Sequence, residues 1–213
     1  MKHWTEWSHR TLLKVCYGVG CAVLAASMLL HFAMDTVSYA TGRLHHQVIT
    51  LADTELYTLV DMDWDGQDTL TALTGDVQLL LQPGQPVRNL RLYASYSTQA
   101  GYERDLYWHL PGQGYSRRHR VWPTAGPDGS WDYTLPLLAG KGLRLDLADQ
   151  SGVEICLQAV EINRRPAWYT YFIPTLWQLA WLAAVPGLLA CAAALLQDGI
   201  RKIRLMKMGG PKA

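Results

Sequence analysis

Two runs of this sequence admit almost no charge. Between residues 12 and 34 the only charged side chain is Lys14, and between residues 167 and 197 there is none. A helix crosses the hydrocarbon of a bilayer with about 20 apolar residues. An interior helix of a soluble domain is ordinarily shorter and keeps a polar face. Both runs therefore predict transmembrane helices, over 12–34 and 166–197. They divide the rest into a flank at 1–11, a linker at 35–46 (or an extension of the first helix), a domain at 47–165 and a basic tail at 198–213.

The net charge of +1 hides a sorted distribution. Lys2, Arg10 and Lys14 stand against Glu6 before the first run, and Arg201, Lys202, Arg204, Lys207 and Lys212 against Asp198 after the second. The segment between them is net acidic. Short positive flanks stay on the cytoplasmic side. Both termini are expected inside, with the central domain in the periplasm of a bacterial inner membrane; Arg164 and Arg165 oppose this rule but are outnumbered. Ser38-Tyr39-Ala40 has the small-residue form of a signal-peptide cleavage site. The apolar run before it exceeds the usual h-region of about 7–15 residues, which favours a retained anchor.

Small residues recur once per turn at Gly18, Ala22 and Ala26, and again at Ala183, Gly187 and Cys191. That spacing lets helices approach closely in lipid and marks candidate packing faces. Pro174 and Pro186 can each kink the second helix, and Trp168, Tyr169 and Tyr171 fit an interfacial belt at its outer end. Cys16, Cys21 and Cys191 lie in the apolar runs and Cys156 stands alone, so no disulfide framework is predicted.

The central segment reads as β. Short β-prone runs at 78–81, 90–96, 105–109, 131–135, 142–147 and 153–162 are separated by PGQP, PGQG, AGPDG and AGKG turns. In GLRLDLA, Leu143, Leu145 and Leu147 alternate with Arg144 and Asp146. One face is thus apolar and one polar, with a local Arg144–Asp146 ion pair as the default reading. The fold class is mainly β: an antiparallel, jelly-roll-like β-sandwich flanked by two transmembrane helices.

Two stretches stand out. DMDWDGQD places Asp61, Asp63, Asp65 and Asp68 within eight residues. An EF-hand loop is excluded, because its twelfth position is Ala72 where a bidentate glutamate belongs, and flanking helices are missing. The simpler reading is one half-buried strand with Val60, Met62 and Trp64 inward, ending in an Asp-Gly turn. A looser calcium site on the four aspartates is the alternative; no other cofactor is expected. YWHLPGQGYSRRHR combines aromatics, a glycine turn and three arginines. Outside the membrane, nucleic acid is an unexpected partner. Aromatic faces and guanidinium forks instead suit glycan C–H faces and acidic groups, which makes Trp108, Tyr115, Trp122, Trp131, Arg117, Arg118 and Arg120 the binding candidates. Tyr133 belongs to the same aromatic set, and core packing is the competing role for each ring. No nucleophile elbow, HExxH or Walker loop occurs, and no catalytic residue is assigned.

Three stretches carry a resemblance: YWHLPGQGYSRRHRV, GSWDYTLPL and KGLRLDLADQSGVEICLQAVEI. Together, over residues 88–163, they resemble the extracytoplasmic, carbohydrate-binding-like β-sandwich module of bacterial membrane glycosyltransferases and cell-surface polysaccharide proteins. The pattern departs at Leu147, where that module has proline. The resemblance implies a non-catalytic module that binds or guides a glycan or lipid-linked sugar. It implies a polytopic partner, a glycosyltransferase or exporter, which this chain would serve as an accessory subunit. A purely structural subunit without sugar contact and a glycan-modifying enzyme remain the alternatives.

Overall fold

The computed structural model describes residues 7–98, 104–109, 112–126, 128–136 and 142–208, without the side chains at 204, 205, 207 and 208. Lys2, Glu6, Lys212, the side chains of Arg204 and Lys207, and parts of the PGQG, AGPDG and AGKG turns lie outside the described residues. The chain divides into two compact units, Thr36–Arg165 on the one hand and Met1–Asp35 with Pro166–Ala213 on the other.

The first unit is built of antiparallel strands: β1 (Gln47–Ile49), β2 (Tyr57–Val60), β3 (Met62–Trp64), β4 (Thr69–Ala72), β5 (Val77–Leu81), β6 (Asn89–Tyr96), β7 (Leu106–Trp108), β8 (Arg120–Val121), β9 (Thr124–Ala125), β10 (Trp131–Thr134), β11 (Leu143–Ala148) and β12 (Glu154–Ile162). One sheet runs β3-β4-β12-β6-β10-β9, with β1 also paired to β12, and the other runs β2-β5-β11-β7-β8. The six expected runs are β5, β6, β7, β10, β11 and β12 to within one residue. Alternation explains why they form. Val77, Leu79 and Leu81 of β5, Leu143, Leu145 and Leu147 of β11, and Leu90 and Leu92 of β6 are buried, and they join Ile155, Val160 and Tyr133 in one apolar cluster fed by both sheets.

One expectation is corrected here. LVDMDWDG is not a single strand, because the chain breaks at Asp61, whose φ is +57°. Val60 ends β2 in the five-stranded sheet, and Met62 begins β3 in the seven-stranded one. The left-handed backbone at a residue with a Cβ is uncommon. It is held by Leu73 N–H donating to the Asp61 carbonyl (2.9 Å) and by the Thr74 hydroxyl donating to its carboxylate (3.3 Å). Met62 and Trp64 do pack against the core, and the turn after them has Gly66 at φ +84°.

The second unit holds two helices long and apolar enough to cross a membrane, flanking the β domain in sequence. The first helix, α1 (His9–Ala40), runs past the apolar stretch; the second, α2 (Leu176–Met208), continues through Arg201, Lys202, Arg204 and Lys207. Pro174 lies outside α2, whose first turn is closed by a reciprocal cap. The Gln178 N–H donates to the Thr175 hydroxyl (3.2 Å), and the Thr175 N–H donates to the Gln178 side-chain carbonyl (2.8 Å). Pro186 is inside α2 and has no N–H for the preceding turn. In that turn the Tyr17 hydroxyl of α1 donates to the Ala183 carbonyl at 2.8 Å.

Asp35, at the end of this unit's first segment, is buried. The Tyr171 hydroxyl donates to it at 3.0 Å, His31 lies 3.5 Å away, and the Tyr171 ring meets His31 and Phe32 edge-on.

The end of β12 is locked by Asn163, fully buried with φ +55°. Its side-chain oxygen accepts from Arg88 N–H (2.8 Å), and its amide donates to the Pro86 carbonyl (2.8 Å) and to Gln85 (3.1 Å). Gln85 in turn bonds both backbone groups of His45, ahead of β1. Asn163→Ala should lower the stability of the β domain by about 2–4 kcal/mol, from lost buried hydrogen bonds plus left-handed strain. Asn163→Gly removes the strain and should recover only about 1 kcal/mol of that loss. Urea unfolding of the full chain in detergent micelles, followed by tryptophan fluorescence, separates the two contributions.

Candidate functional site: a polar cleft on the five-stranded sheet

β11 is central in its sheet, so its side chains serve two environments. Leu143, Leu145 and Leu147 enter the core, while Arg144 emerges on the opposite face. Register sets its neighbours. Arg144 stands opposite Tyr107 of β7, and Tyr107 opposite Arg120 of β8, so the three form a row across the sheet. Asp76, just before β5, and the Tyr115–Ser116–Arg117 segment between β7 and β8 complete the walls. The result is a cleft of about 510 Å³ lined by Asp76, Tyr107, Tyr115, Ser116, Arg117, Arg120, Arg144 and Asp146.

The floor is held by ion pairs. Arg144 grips Asp146 through two bonds (2.6 and 2.9 Å) and reaches Asp76 at 3.0 Å. This bidentate contact to Asp146 pushes the Arg144 pKa further up. Its guanidinium also lies 5.1 Å from the Tyr107 ring centre. Arg120 pairs with the fully buried Asp105 at 3.1 Å and covers the Trp122 ring at 4.2 Å. Tyr115, 37% exposed, presents its ring to the cleft with its edge against His109, and burial raises its hydroxyl pKa. Ser116 caps a 3-10 turn, Arg117–His119, by accepting from Arg118 N–H. His119 of that turn stacks on Trp108 at 4.2 Å.

Of the expected binding residues, the structure gathers Tyr115, Arg117 and Arg120 in the cleft. Trp122 lies beside it on Arg120, Arg118 is exposed on the same turn, and Trp108 stands behind it, packed against the core. Trp131 is elsewhere: on β10 in the other sheet, half-buried, with Arg104 4.3 Å above its ring. Tyr133 is core, 1% exposed. The Arg144–Asp146 ion pair read from the sequence is present; Tyr107, Asp76 and the place of that pair in the cleft were not read from it. The alternation in GLRLDLA signals an outward Arg144, but nothing in the sequence brings Asp76 to it.

The aspartates of DMDWDGQD are engaged separately. Asp61 holds Thr74, and Asp65 accepts from the N–H groups of Gln67 (2.8 Å) and Thr69 (3.2 Å) in the turn. Asp68 accepts from the Thr69 hydroxyl and from the Cys156 thiol at 3.3 Å, and that carboxylate raises the thiol pKa. Asp63 is exposed. No group of three or more His, Cys, Asp or Glu side chains among the described residues is arranged to hold a metal ion.

The small residues of the helices also divide. Gly18, Ala22 and Ala26 are exposed, and a Cβ at Gly18 would meet nothing. Tyr17 bonds Ala183, and its hydroxyl lies 3.5 Å from where a Cβ on Gly187 would sit. The close approach falls instead at Gly20, where a Cβ would sit 3.0 Å from Pro186 and 3.1 Å from Leu182.

No family model matches the sequence, and no curated protein matches it. Among solved structures it is similar to a low-affinity xylan-binding module, CBM86, of the xylanolytic gut symbiont Roseburia intestinalis. The two are 13% identical with a TM-score of 0.37, over 56% of this chain and 95% of that one. A likeness this weak carries neither a residue nor a ligand across.

Arg144→Ala removes a partner from both Asp76 and the buried Asp146. The expected cost is about 1–3 kcal/mol, reduced from that of a fully buried pair because Asp76 is exposed. Arg144→Lys keeps the charge without the fork and should recover part of it. Thermal unfolding of the three proteins side by side tests this, and equal midpoints would show that the carboxylates are satisfied without Arg144.

Proposed function

We propose that this chain is a non-catalytic, membrane-anchored glycan-binding protein. Its two sheets pack as a jelly-roll-like β-sandwich in the periplasm, and the cleft on the five-stranded sheet receives the sugar. The observation that carries this reading is the cleft itself: two tyrosine faces, Tyr107 and Tyr115, beside a fixed array of guanidinium donors and carboxylate acceptors. A sugar presents C–H faces ringed by hydroxyls. It needs a flat apolar surface and in-plane donors and acceptors that are already oriented. The ion pairs orient both kinds of group before any ligand arrives, which reduces the ordering cost of binding.

The sandwich is supported by the wiring. The strand orders β1-β12-β6-β10 and β5-β11-β7-β8, with both sheets feeding one apolar cluster, fit two interleaved Greek keys. Anchoring is supported by the helices. Side chains such as Val19, Val23, Leu188, Leu189 and Leu195 are exposed on helices that keep their backbone bonds internal, a surface suited to lipid. Basic flanks on both helices favour cytoplasmic termini.

Tyr115→Ala should weaken glycan binding about tenfold at an unchanged melting temperature, measured by calorimetry on the full chain in micelles against a panel of oligosaccharides. Trp131→Ala, in the other sheet, should lower the melting temperature and leave the affinity of the folded protein unchanged. The reading fails if no oligosaccharide binds, or if the Tyr115 variant binds as well as the parent.

The accessory role, beside a polytopic glycosyltransferase or polysaccharide exporter, is supported by the face of α1 at Gly18, Ala22 and Ala26, which is exposed in this chain. Purification in mild detergent should bring such a protein down with the parent, and less of it with Ala22→Leu. A protein recovered alone would count against the role.

A further inference from the structure

We infer that the cleft selects glycans bearing a carboxylate, and that Arg117 reads it; this rests on the cleft being the glycan site. Three guanidiniums line the cleft, and two are already committed. Arg144 is shared by Asp146 and Asp76, and Arg120 is held by the buried Asp105 and the Trp122 face. Their charges are neutralised by these partners. Arg117 differs: it is exposed and has neither an ion pair nor a hydrogen bond with any described residue. Its backbone is nevertheless positioned, because it opens the turn that Ser116 caps, and that turn continues into β8 beneath the cleft.

The rim is therefore cationic where Arg117 and its neighbour Arg118 stand, with Tyr115 two residues before. The end at Asp76 carries the opposite sign. A sugar stacked on Tyr115 with an acidic substituent toward Arg117 would meet a planar fork with two parallel N–H donors, the geometry that matches a carboxylate. Its hydroxyls would be left to the Arg144–Asp146 and Asp76 groups. A glycan acidic on every side would be repelled at Asp76. A uronic-acid residue within a chain that also has neutral sugars fits both ends.

The test is binding to the full chain in non-ionic micelles. The probes are oligosaccharides containing a uronic acid, the same oligosaccharides after reduction of the carboxyl group to the alcohol, and a sugar phosphate. The uronate form should bind about tenfold or more tightly than its reduced form, with an advantage that shrinks as salt is raised. Arg117→Ala should erase that advantage, so that the uronate and reduced forms bind equally, at an unchanged melting temperature, and Arg117→Lys should keep part of it. Equal binding of acidic and reduced forms, with Tyr115→Ala still harmful, would overturn this inference and leave the glycan site standing. A sugar phosphate that binds more tightly than the uronate would overturn the choice of carboxylate. No binding by any probe would overturn both readings.

Discussion

The structure depends on the register of β11. This six-residue strand sits in the middle of its sheet, and its inward leucines fill the core while Arg144 makes the floor of the cleft. A one-residue slip would exchange the two faces, placing a guanidinium in the apolar cluster and leucines in the cleft. Core and site are therefore specified together. Pairing to β5 on one side and β7 on the other fixes the strand from both edges, and the irregularity between Asp146 and Ala148 is confined to its end.

The polar face of that sheet separates structural from available chemistry. Arg144 and Arg120 are occupied by carboxylates and rings, so each contributes rigidity to this face. Donors and acceptors held in this way would lose little freedom on meeting a ligand. Arg117 stands at the edge of this arrangement, its side chain unpaired among the described residues.

The sequence disclosed elements whose cause is local. Six strands were legible because apolar alternation lies within the runs and glycine and proline turns between them, and the helices because charge is almost missing over 12–34 and 167–197. The YWHLPGQGYSRRHR segment was legible as a concentration of aromatic and basic side chains, and Tyr115, Arg117 and Arg120 do line one cleft. What stayed hidden depends on partners distant in sequence. Asp76 reaches Arg144 only through the pairing of β5 with β11, and Trp131 lies in the other sheet because β10 pairs with β6. Asp61 divides two strands where the pattern of alternation runs on unbroken, since a period of two does not register a change of sheet. On the helices, close approach at Gly20 follows from Pro186 on the facing helix, which the spacing at Gly18, Ala22 and Ala26 does not reveal.

The pairing of the first strand with the last has a mechanical consequence. Gln47, where the chain enters β1, stands opposite Ile162, where it leaves β12. Tension applied through the two ends of the domain would not shear this ladder along its length, with all bonds loaded at once. It would peel the strands apart from that end, one residue pair after another, beginning at the Asn163–Gln85–His45 lock. The domain is thus built to yield at β1 under a small force while the long β12–β6 ladder behind it stays closed, and Asn163 is the catch that sets the threshold.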